Sequence, residues 1–457
     1  MDKTIVKALE KIVGPENVTD RDTDRICYAY DATQIQAWPD GVVFPGSARE
    51  IAQIVGLANR HHLPLVPRGA GSGMSGGSVP IQGGLVLVLL RMNRIKHIDK
   101  GNFLAVVEPG VITRDFQETV EAQGLFYPPD PSSSSFSTLG GNLAECAGGG
   151  RAIKYGVTRD YVLGLEVVLP TGEIIKTGVQ TAKGVVGYDL TRLLVGSEGT
   201  LGIITEMTLK LIPLPEARQT ILAFFDEMDL AAKTIGEIFR TGILPSVLEF
   251  MDQPSIASVE DYLHLGLPGQ AQALLLIEVD GDREAVIRQG ETIAGLCRAM
   301  GATEVKTART SQESDLLWKA RRSISPALFR LRPNKINEDI VVPRDRIPAA
   351  ITYFQEIGQR YNLLVVSFGH AGDGNIHVNV MYEGEKTGEK EKAEQAVTEI
   401  FKVVLELGGT LSGEHGVGLT KASFLPQELD PLSLQLMKKI KGLFDPNNIL
   451  NPGKIFP

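Results

Sequence analysis

Three of the chain's seven histidines and a glutamate fall in two glycine-rich stretches. These are Ser367-Phe-Gly-His-Ala-Gly-Asp-Gly-Asn-Ile-His-Val-Asn379 and Gly413-Glu-His-Gly416. His370, His377 and Glu414 offer two imidazoles and one carboxylate. That donor set suits Zn²⁺ or a similar divalent ion with one position left open. His415 stands beside the third donor, where it can act as a base. Residues seven apart on an unbroken strand face opposite ways, but Gly372-Asp-Gly374 interrupts the run and can re-aim His370. His377 and Asn379, two apart, share a face. A metal-free cluster of hydrogen-bonded turn residues is the plainer explanation of the same letters.

The elements that must carry these residues can be read in outline. Val42-Val43-Phe44 precedes Ser47-Ala-Arg-Glu50, which has capping-box spacing, and then an apolar helix to about Asn59. Leu63-Pro-Leu-Val66 reads as a short strand, Leu85–Leu90 as a buried one and Leu104–Val107 as another. Leu163–Pro170 is extended, and Thr171-Gly172 turns it into Glu173-Ile-Ile-Lys176, a hairpin signal. A helix from about Lys392 to Leu407 is apolar at Ala393, Ala396, Val397, Ile400, Phe401 and Val404, the spacing of a core face. The layout is α+β.

Forty-nine glycines exceed ordinary usage. They crowd into 69–84, 140–156 and 184–202, with a smaller set at 408–418, and thin out between about 214 and 365. The shift falls near Leu211-Ile-Pro-Leu-Pro215, where two prolines close a strand-like run. Residues 71–76 match GxGxxG, yet Gly77-Ser-Val-Pro80 and a strand follow instead of a helix, and no acid stands at the next strand end. A nicotinamide fingerprint needs both. A loop whose backbone N–H groups face a diphosphate fits better. Thr138-Leu-Gly-Gly-Asn-Leu-Ala-Glu-Cys-Ala-Gly-Gly-Gly150 reads as a second loop of that kind, so a long ligand is expected.

Composition excludes several classes. A net charge of −9 with no Lys/Arg block argues against nucleic acid or an anionic membrane as partner. No apolar run approaches the roughly 18–20 residues of a spanning helix. The opening Met1-Asp-Lys-Thr-Ile-Val lacks a signal-peptide design. The expectation is a cytoplasmic protein, with any membrane association supplied by a partner. Cys27, Cys146 and Cys297 are scattered and encode neither a disulfide framework nor an iron–sulfur cluster.

Motifs in order along the chain carry a family resemblance. Pro67-Arg-Gly-Ala-Gly-Ser-Gly73, Gly140-Gly141-Asn142, Lys154-Tyr-Gly156, Leu194-Val-Gly-Ser-Glu-Gly-Thr-Leu-Gly-Ile-Ile204 and Pro446-Asn-Asn-Ile-Leu-Asn-Pro-Gly-Lys454 resemble the FAD-linked oxidase family of the vanillyl-alcohol oxidase type. Within it the chain resembles the branch of glycolate oxidase FAD subunits and D-lactate and D-2-hydroxyglutarate dehydrogenases. The resemblance implies an FAD domain built from both chain ends (1–213, completed by 413–457) and an inserted α+β cap (214–412) carrying the substrate site. It implies that Pro67, Arg68, Gly69, Ala70, Gly71, Ser72, Gly73, Met74 and Ser75 hold the FAD pyrophosphate. Thr138, Gly140, Gly141, Asn142, Ala144, Gly148 and Gly149, with Glu198, Gly199, Gly202, Ile203 and Ile204, would line the ribityl and ring parts. Pro131, Tyr155, Gly156 and Val157 join the same cofactor set, and Asn451 would lie near the flavin. Some members attach FAD through a histidine of the pyrophosphate loop. Ser72 stands there here, and His61 and His62 lie outside it, so noncovalent FAD is expected.

In the metal-dependent branch the His-x6-His and Glu-His motifs supply metal ligands and base. The resemblance therefore gives His370, His377 and Glu414 to a divalent metal, zinc foremost, and gives His415 the substrate's hydroxyl proton while hydride passes to flavin N5. The alternative for His415 is a hydrogen bond that orients Glu414. Trp318-Lys-Ala-Arg-Arg-Ser323 resembles the segment whose arginine holds the substrate carboxylate, which points to Arg321, with Arg322 the competing choice. Lys335 resembles a second carboxylate contact, but its spacing to Asp339-Ile-Val-Val-Pro343 departs from the hydroxyglutarate pattern, and Ser325 stands where threonine is favoured. The expected substrate is therefore a small acid, D-lactate or glycolate. Asn379 is a further polar contact, or a plain strand residue. With no second redox centre of its own, the chain is expected to pass electrons to a partner: an iron–sulfur subunit, an electron-transfer flavoprotein or a quinone.

Overall fold

Ser47 accepts a hydrogen bond from the Glu50 N–H at 3.2 Å, and the helix Ala48–His61 starts there, as its sequence predicts. The Glu50 carboxylate reaches back one residue further than a capping box requires, to the Gly46 N–H at 2.7 Å. Ile51, Ile54, Val55 and Ala58 are the buried stripe. The computed structural model describes residues 1–33 and 35–456.

The chain divides into two units, Met1–Gly148 with Val157–Leu214 and Glu414–Pro457, and Gly149–Gly156 with Pro215–Gly413. In the first unit, β1 (Val18–Thr19), β2 (Gly41–Val43), β3 (Leu65–Arg68) and β4 (Leu85–Val88) form a four-stranded sheet in the order β1-β2-β4-β3. Strands β2 and β3 both run parallel to β4, so a crossover is obligatory, and Ala48–His61 is that crossover. β4 is buried on both sides. Leu85 and Leu87 join the cluster of Ile51, Ile54 and Leu9, while Val86 and Val88 join Val42 and Val66. Each such burial is worth roughly 1.5–3 kcal/mol.

A second sheet of this unit contains β5 (Ile95–Asp99), β6 (Leu104–Val107), β8 (Val162–Val168), β9 (Ile174–Gly178) and β10 (Ile203–Lys210), in the order β5-β6-β10-β8-β9. The β8–β9 hairpin turns at Gly172, whose φ of +100° favours glycine. A two-stranded pair joins β7 (Leu125–Phe126) to β11 (Ile212–Pro213). The stretch 138–150 corrects the sequence reading. Thr138 caps a helix, Leu139–Glu145, by accepting the Gly141 N–H at 3.3 Å. Gly140 tolerates this because its Cα meets Pro109, where a Cβ would lie 2.5 Å from the proline Cβ. Close packing overrides the low helix propensity of Gly-Gly.

The second unit is built on a seven-stranded antiparallel sheet. Its strands are β12 (Ala217–Phe225), β13 (Val247–Asp252), β14 (Ala273–Gly281), β15 (Glu304–Thr307), β16 (Asn334–Val341), β17 (Leu364–His370) and β18 (Asn375–Tyr382), in the order β15-β12-β14-β13-β17-β18-β16. Helices Met228–Arg240, Arg283–Ala299, Ile347–Tyr361 and Glu389–Glu406 make one layer against it, and Gln253–Leu263, Ser311–Arg322 and Ile324–Leu328 another. Helix Glu389–Glu406 buries the six apolar residues that its periodicity marks. Residues 149–156, which the sequence reading grouped with the first region, belong to this unit: Lys154 and Tyr155 both bond Asp280, at 2.5 and 2.9 Å. Among the described residues no helix is long and apolar enough to cross a membrane.

Candidate active site

The interruption at Gly372-Asp-Gly374 is a hairpin turn, not a bulge: β17 ends at His370 and β18 begins at Asn375. Antiparallel register then decides which side chains share a face. Phe368 pairs with His377, and His377 with Asp339; Val366 pairs with Asn379, and Asn379 with Asn337. Phe368, Val366, Met251 and Met381 belong to the core beneath Gln253–Leu263 and Ile324–Leu328. The polar residues of the same register therefore line that buried face. The rings of His370 and His377 are perpendicular neighbours, with centroids 5.1 Å apart and planes at 85°.

Glu249 organises one side of this face. The His370 Nδ1 lies 2.5 Å from Glu249 Oε1, and the Arg321 Nε donates to Oε2 at 2.5 Å. Burial raises the carboxyl's pKa, but Arg321 and His370 outweigh it and hold Glu249 down at about 2. An ionised Glu249 accepts a hydrogen bond from the His370 Nδ1–H, which makes Nε2 the nitrogen whose lone pair can act as a ligand. The arginine is 8% exposed and lies 4.9 Å over the Phe368 ring. Arg321 is thus the buried arginine of the pair, and Arg322 is exposed. Gly150 is glycine because a Cβ there would sit 2.6 Å from Glu249 Oε1.

Asp339 organises the other side. Its Oδ1 accepts the Asn375 side-chain amide at 2.6 Å and lies 3.8 Å from the His377 Nδ1. Its Oδ2 accepts the Gly413 N–H at 2.9 Å and the Ser412 hydroxyl at 3.2 Å. The residue before the Glu414-His415 pair is thereby tied to the histidine strands. In the second unit Asp339 and His377 are candidate metal donors, while the Nδ1 of the expected donor His370 is turned to Glu249; in the first unit the candidate donors are Glu414 and His415. In the first unit the Glu414 side chain packs on Gly148, where a Cβ would meet its Oε2 at 2.9 Å. At the far end of β16, Lys335 bonds the Ser325 hydroxyl at 2.7 Å, and burial pushes its pKa down to about 8. Between Lys335 and Asp339, Asn337 has a buried Oδ1 without a hydrogen-bond partner among the described residues, as does Asn379 beside it.

The first unit gathers four of the sequence segments expected at the flavin. Gly69 abuts Thr138, Gly199 abuts Pro67, and the Asn451 side chain donates to the Gly77 and Glu198 carbonyls at 2.9 and 2.8 Å. The Glu198 N–H donates to the Ala144 carbonyl at 2.8 Å. Residues 69–80 form an irregular loop with no helix. Its Ser75, 1% exposed, has an Oγ with no partner among the described residues, the kind of orphan a bound polar ligand would satisfy. The residues present fit a diphosphate-bearing cofactor.

Several expected cofactor residues are otherwise engaged. Arg68 is buried, donating to the Tyr30 carbonyl and the Ser78 hydroxyl. Asn142 donates to the Thr113 hydroxyl at 2.7 Å. The Glu198 carboxylate is taken by the Val417 and Gly418 N–H groups, each at 2.7 Å. Ile203 and Ile204 pair with Val168 and Val167. Val157 donates its N–H to Asp160, and Pro131 accepts from Ser134. Gly149, Tyr155 and Gly156 lie in the second unit. Sequence reasoning missed Glu249, Asp339, Asn337 and Asn375. Glu249 had a signal: a carboxylate in Val247-Leu-Glu-Phe-Met-Asp252, otherwise an apolar strand, requires a buried partner.

Comparison with known proteins agrees with this arrangement. Residues 39–178 match the FAD binding domain family, and 214–455 match FAD linked oxidases, C-terminal domain. The glycolate oxidase subunit GlcD of Bacillus subtilis is 50% identical over 455 residues, covering 99% of this chain and 97% of that protein. A D-lactate dehydrogenase of Anaerostipes hadrus is 38% identical over 458 residues, covering 97% and 96%. The solved structure of p-cresol methylhydroxylase with substrate bound superposes with a TM-score of 0.82 at 19% identity, covering 99% of this chain and 96% of that one. That likeness carries the fold. The chain belongs to the FAD-linked oxidases and is an FAD-dependent oxidoreductase with the two-domain fold of the vanillyl-alcohol oxidase type.

Proposed function

We propose that the protein oxidises a small 2-hydroxy acid, D-lactate or glycolate foremost, to the 2-oxo acid, using noncovalent FAD and a divalent metal. The names of its relatives support hydroxy acid oxidation. The observation that carries the site is the buried sheet face on which His370 and His377 adjoin the Glu249-tethered Arg321. FAD would supply the two-electron acceptor for the substrate's C2 hydride. A divalent ion held by His370, His377 and Glu414, with zinc the expected species, would supply a Lewis acid for the hydroxyl.

The chain's own groups do the rest. Arg321 uses Nε on Glu249, so its terminal nitrogens are the ones left to fork onto the substrate carboxylate. His415 removes the hydroxyl proton. Asn379, and with it Asn337, offers a buried amide oxygen to a substrate hydroxyl. Burial of the face keeps water out and strengthens each of these contacts. Lys335, half-buried at the end of the same strand, favours a second reading in which a distal carboxylate is also held, as in D-2-hydroxyglutarate.

Electrons then leave through a separate acceptor. The chain's three cysteines are separate and free, and the B. subtilis relative is named as a subunit. An iron–sulfur subunit, an electron-transfer flavoprotein or a quinone fits that role. The test is a panel of 2-hydroxy acids assayed with an artificial dye, alongside oxygen consumption. D-lactate or glycolate should support dye reduction, with slow turnover in air. A colourless protein after FAD reconstitution sinks the proposal. Air-driven turnover at the rate of flavin reduction removes the partner from it.

A further inference from the structure

Glu145 closes the helix Leu139–Glu145 in the first unit, and no role in the chemistry above uses it. Its carboxyl lies against the expected pyrophosphate loop. A Cβ on Gly77 would sit 2.8 Å from Glu145 Oε1 and 3.3 Å from the Ser75 Oγ, and one on Gly73 would sit 3.8 Å from Oε1. On the other side, a Cβ on Gly416 would fall 2.2 Å from Oε2. Oε2, on that side, is buried with no hydrogen-bond partner among the described residues, and so is the Ser75 Oγ on the loop side. The carboxyl thus presents Oε1 beside the orphan Ser75 Oγ to one glycine-rich loop, while Oε2 on its other side is left unsatisfied.

We propose that Glu145, carried as the neutral carboxylic acid, donates a hydrogen bond to bound FAD at its diphosphate, so that the cofactor binds only the protonated side chain. This rests on residues 67–77 receiving the diphosphate. The charge reasoning is direct. An ionised carboxylate facing a diphosphate would repel it, whereas an acid O–H contributes a charge-assisted bond. Burial favours the neutral form first, and Glu198 and Asp31 add to it, with Lys454 opposing. The C-terminal end of the helix dipole disfavours a negative charge as well. The other charged groups of the neighbourhood are Lys421, which faces Glu198, and Arg68, which faces Asp31. Glu198 already has its two N–H donors, so it is the carboxylate of the pair that can stay ionised.

The test is a titration of apoprotein with FAD, followed by quenching of flavin fluorescence between pH 6 and 9.5. Lys454, pushed down to about 8 by burial, gives every variant a background loss of affinity as pH rises. Wild type should lose more, up to about tenfold per pH unit, because one further proton must be taken up. Glu145→Gln keeps a donor and should match wild type at pH 6 while following only the background. Glu145→Ala should bind about 10–100-fold more weakly at pH 6, the value of one hydrogen bond to a charged group. Far-UV circular dichroism confirms that each variant is folded. Parallel pH profiles for wild type and Glu145→Gln, or wild-type affinity in Glu145→Ala, overturn the proposal. Gly73→Val separates the underlying reading, since its side chain has room in the fold but would obstruct a ligand laid on the loop. If Gly73→Val binds FAD normally, the loop assignment itself fails. If it loses FAD while the Glu145 variants behave as wild type, only the Glu145 proposal fails.

Discussion

Replacing Glu249 by glutamine should cost the second unit about 3–5 kcal/mol, the usual effect of removing one partner from a buried ion pair. The side chain is 1% exposed and serves two buried donors, the Arg321 Nε and the His370 Nδ1, each at 2.5 Å. Glutamine has one amide oxygen. Whichever donor it satisfies, its NH₂ is pressed against the other, and a guanidinium at 9% side-chain exposure is left without its counter-ion. Arg321→Met should cost a similar amount, because Glu249 then stays ionised and buried. The double variant should cost far less than the sum, with a coupling energy of at least ~2 kcal/mol. Trp318, hydrogen-bonded to Glu278 at 3.0 Å, reports this unit in urea unfolding once the chain's other tryptophan is removed by Trp38→Phe. Additivity within ~0.5 kcal/mol would refute the claim that Glu249 and Arg321 act as one unit.

Further outcomes concern the chemistry. His377→Ala should remove bound metal and most turnover while leaving FAD content near wild type; unchanged metal stoichiometry by elemental analysis refutes its role as a ligand. His415→Asn should keep metal and flavin yet slow flavin reduction about 10²–10⁴-fold in stopped flow, the span of a positioned general base. Normal reduction would leave it no catalytic part, and metal loss would make it a ligand. Lys335→Met should stabilise the fold at pH 7 by on the order of 1–3 kcal/mol, after discounting for partial exposure. Its ammonium is disfavoured in the folded state, so wild type pays a penalty below about pH 8 that fades toward the ordinary value of 10.5. The gap between the urea midpoints should therefore narrow as pH rises from 8 to 10.5, and a constant gap would contradict the burial argument.

What the linear sequence determines here is local. Ser47 before an apolar stripe starts a helix, because an N-terminal N–H needs an acceptor. Six apolar residues at helical spacing place Glu389–Glu406 on the core. Thr171-Gly172 turns a hairpin, and the glycine run of 69–77 stays irregular. The clustering of His370 and His377 with Asn379 was legible for the same reason: a hairpin is a local object, and its register follows from the turn. The tertiary structure decided the rest. Glu249 meets His370 from 121 residues away, and Asp339 meets Gly413 across 74, because β13 adds beside β17 and β16 beside β18. Neither pairing leaves a periodic trace, since backbone hydrogen bonds between strands are blind to side-chain identity. Gly148, Gly149 and Gly150 read as part of one ligand-facing loop, yet Gly148 makes room for Glu414 in one unit and Gly150 for Glu249 in the other. Gly140 shows the reverse: a residue that propensity sends to a loop sits in a helix because the chain packed against it, at Pro109, leaves no space for a Cβ.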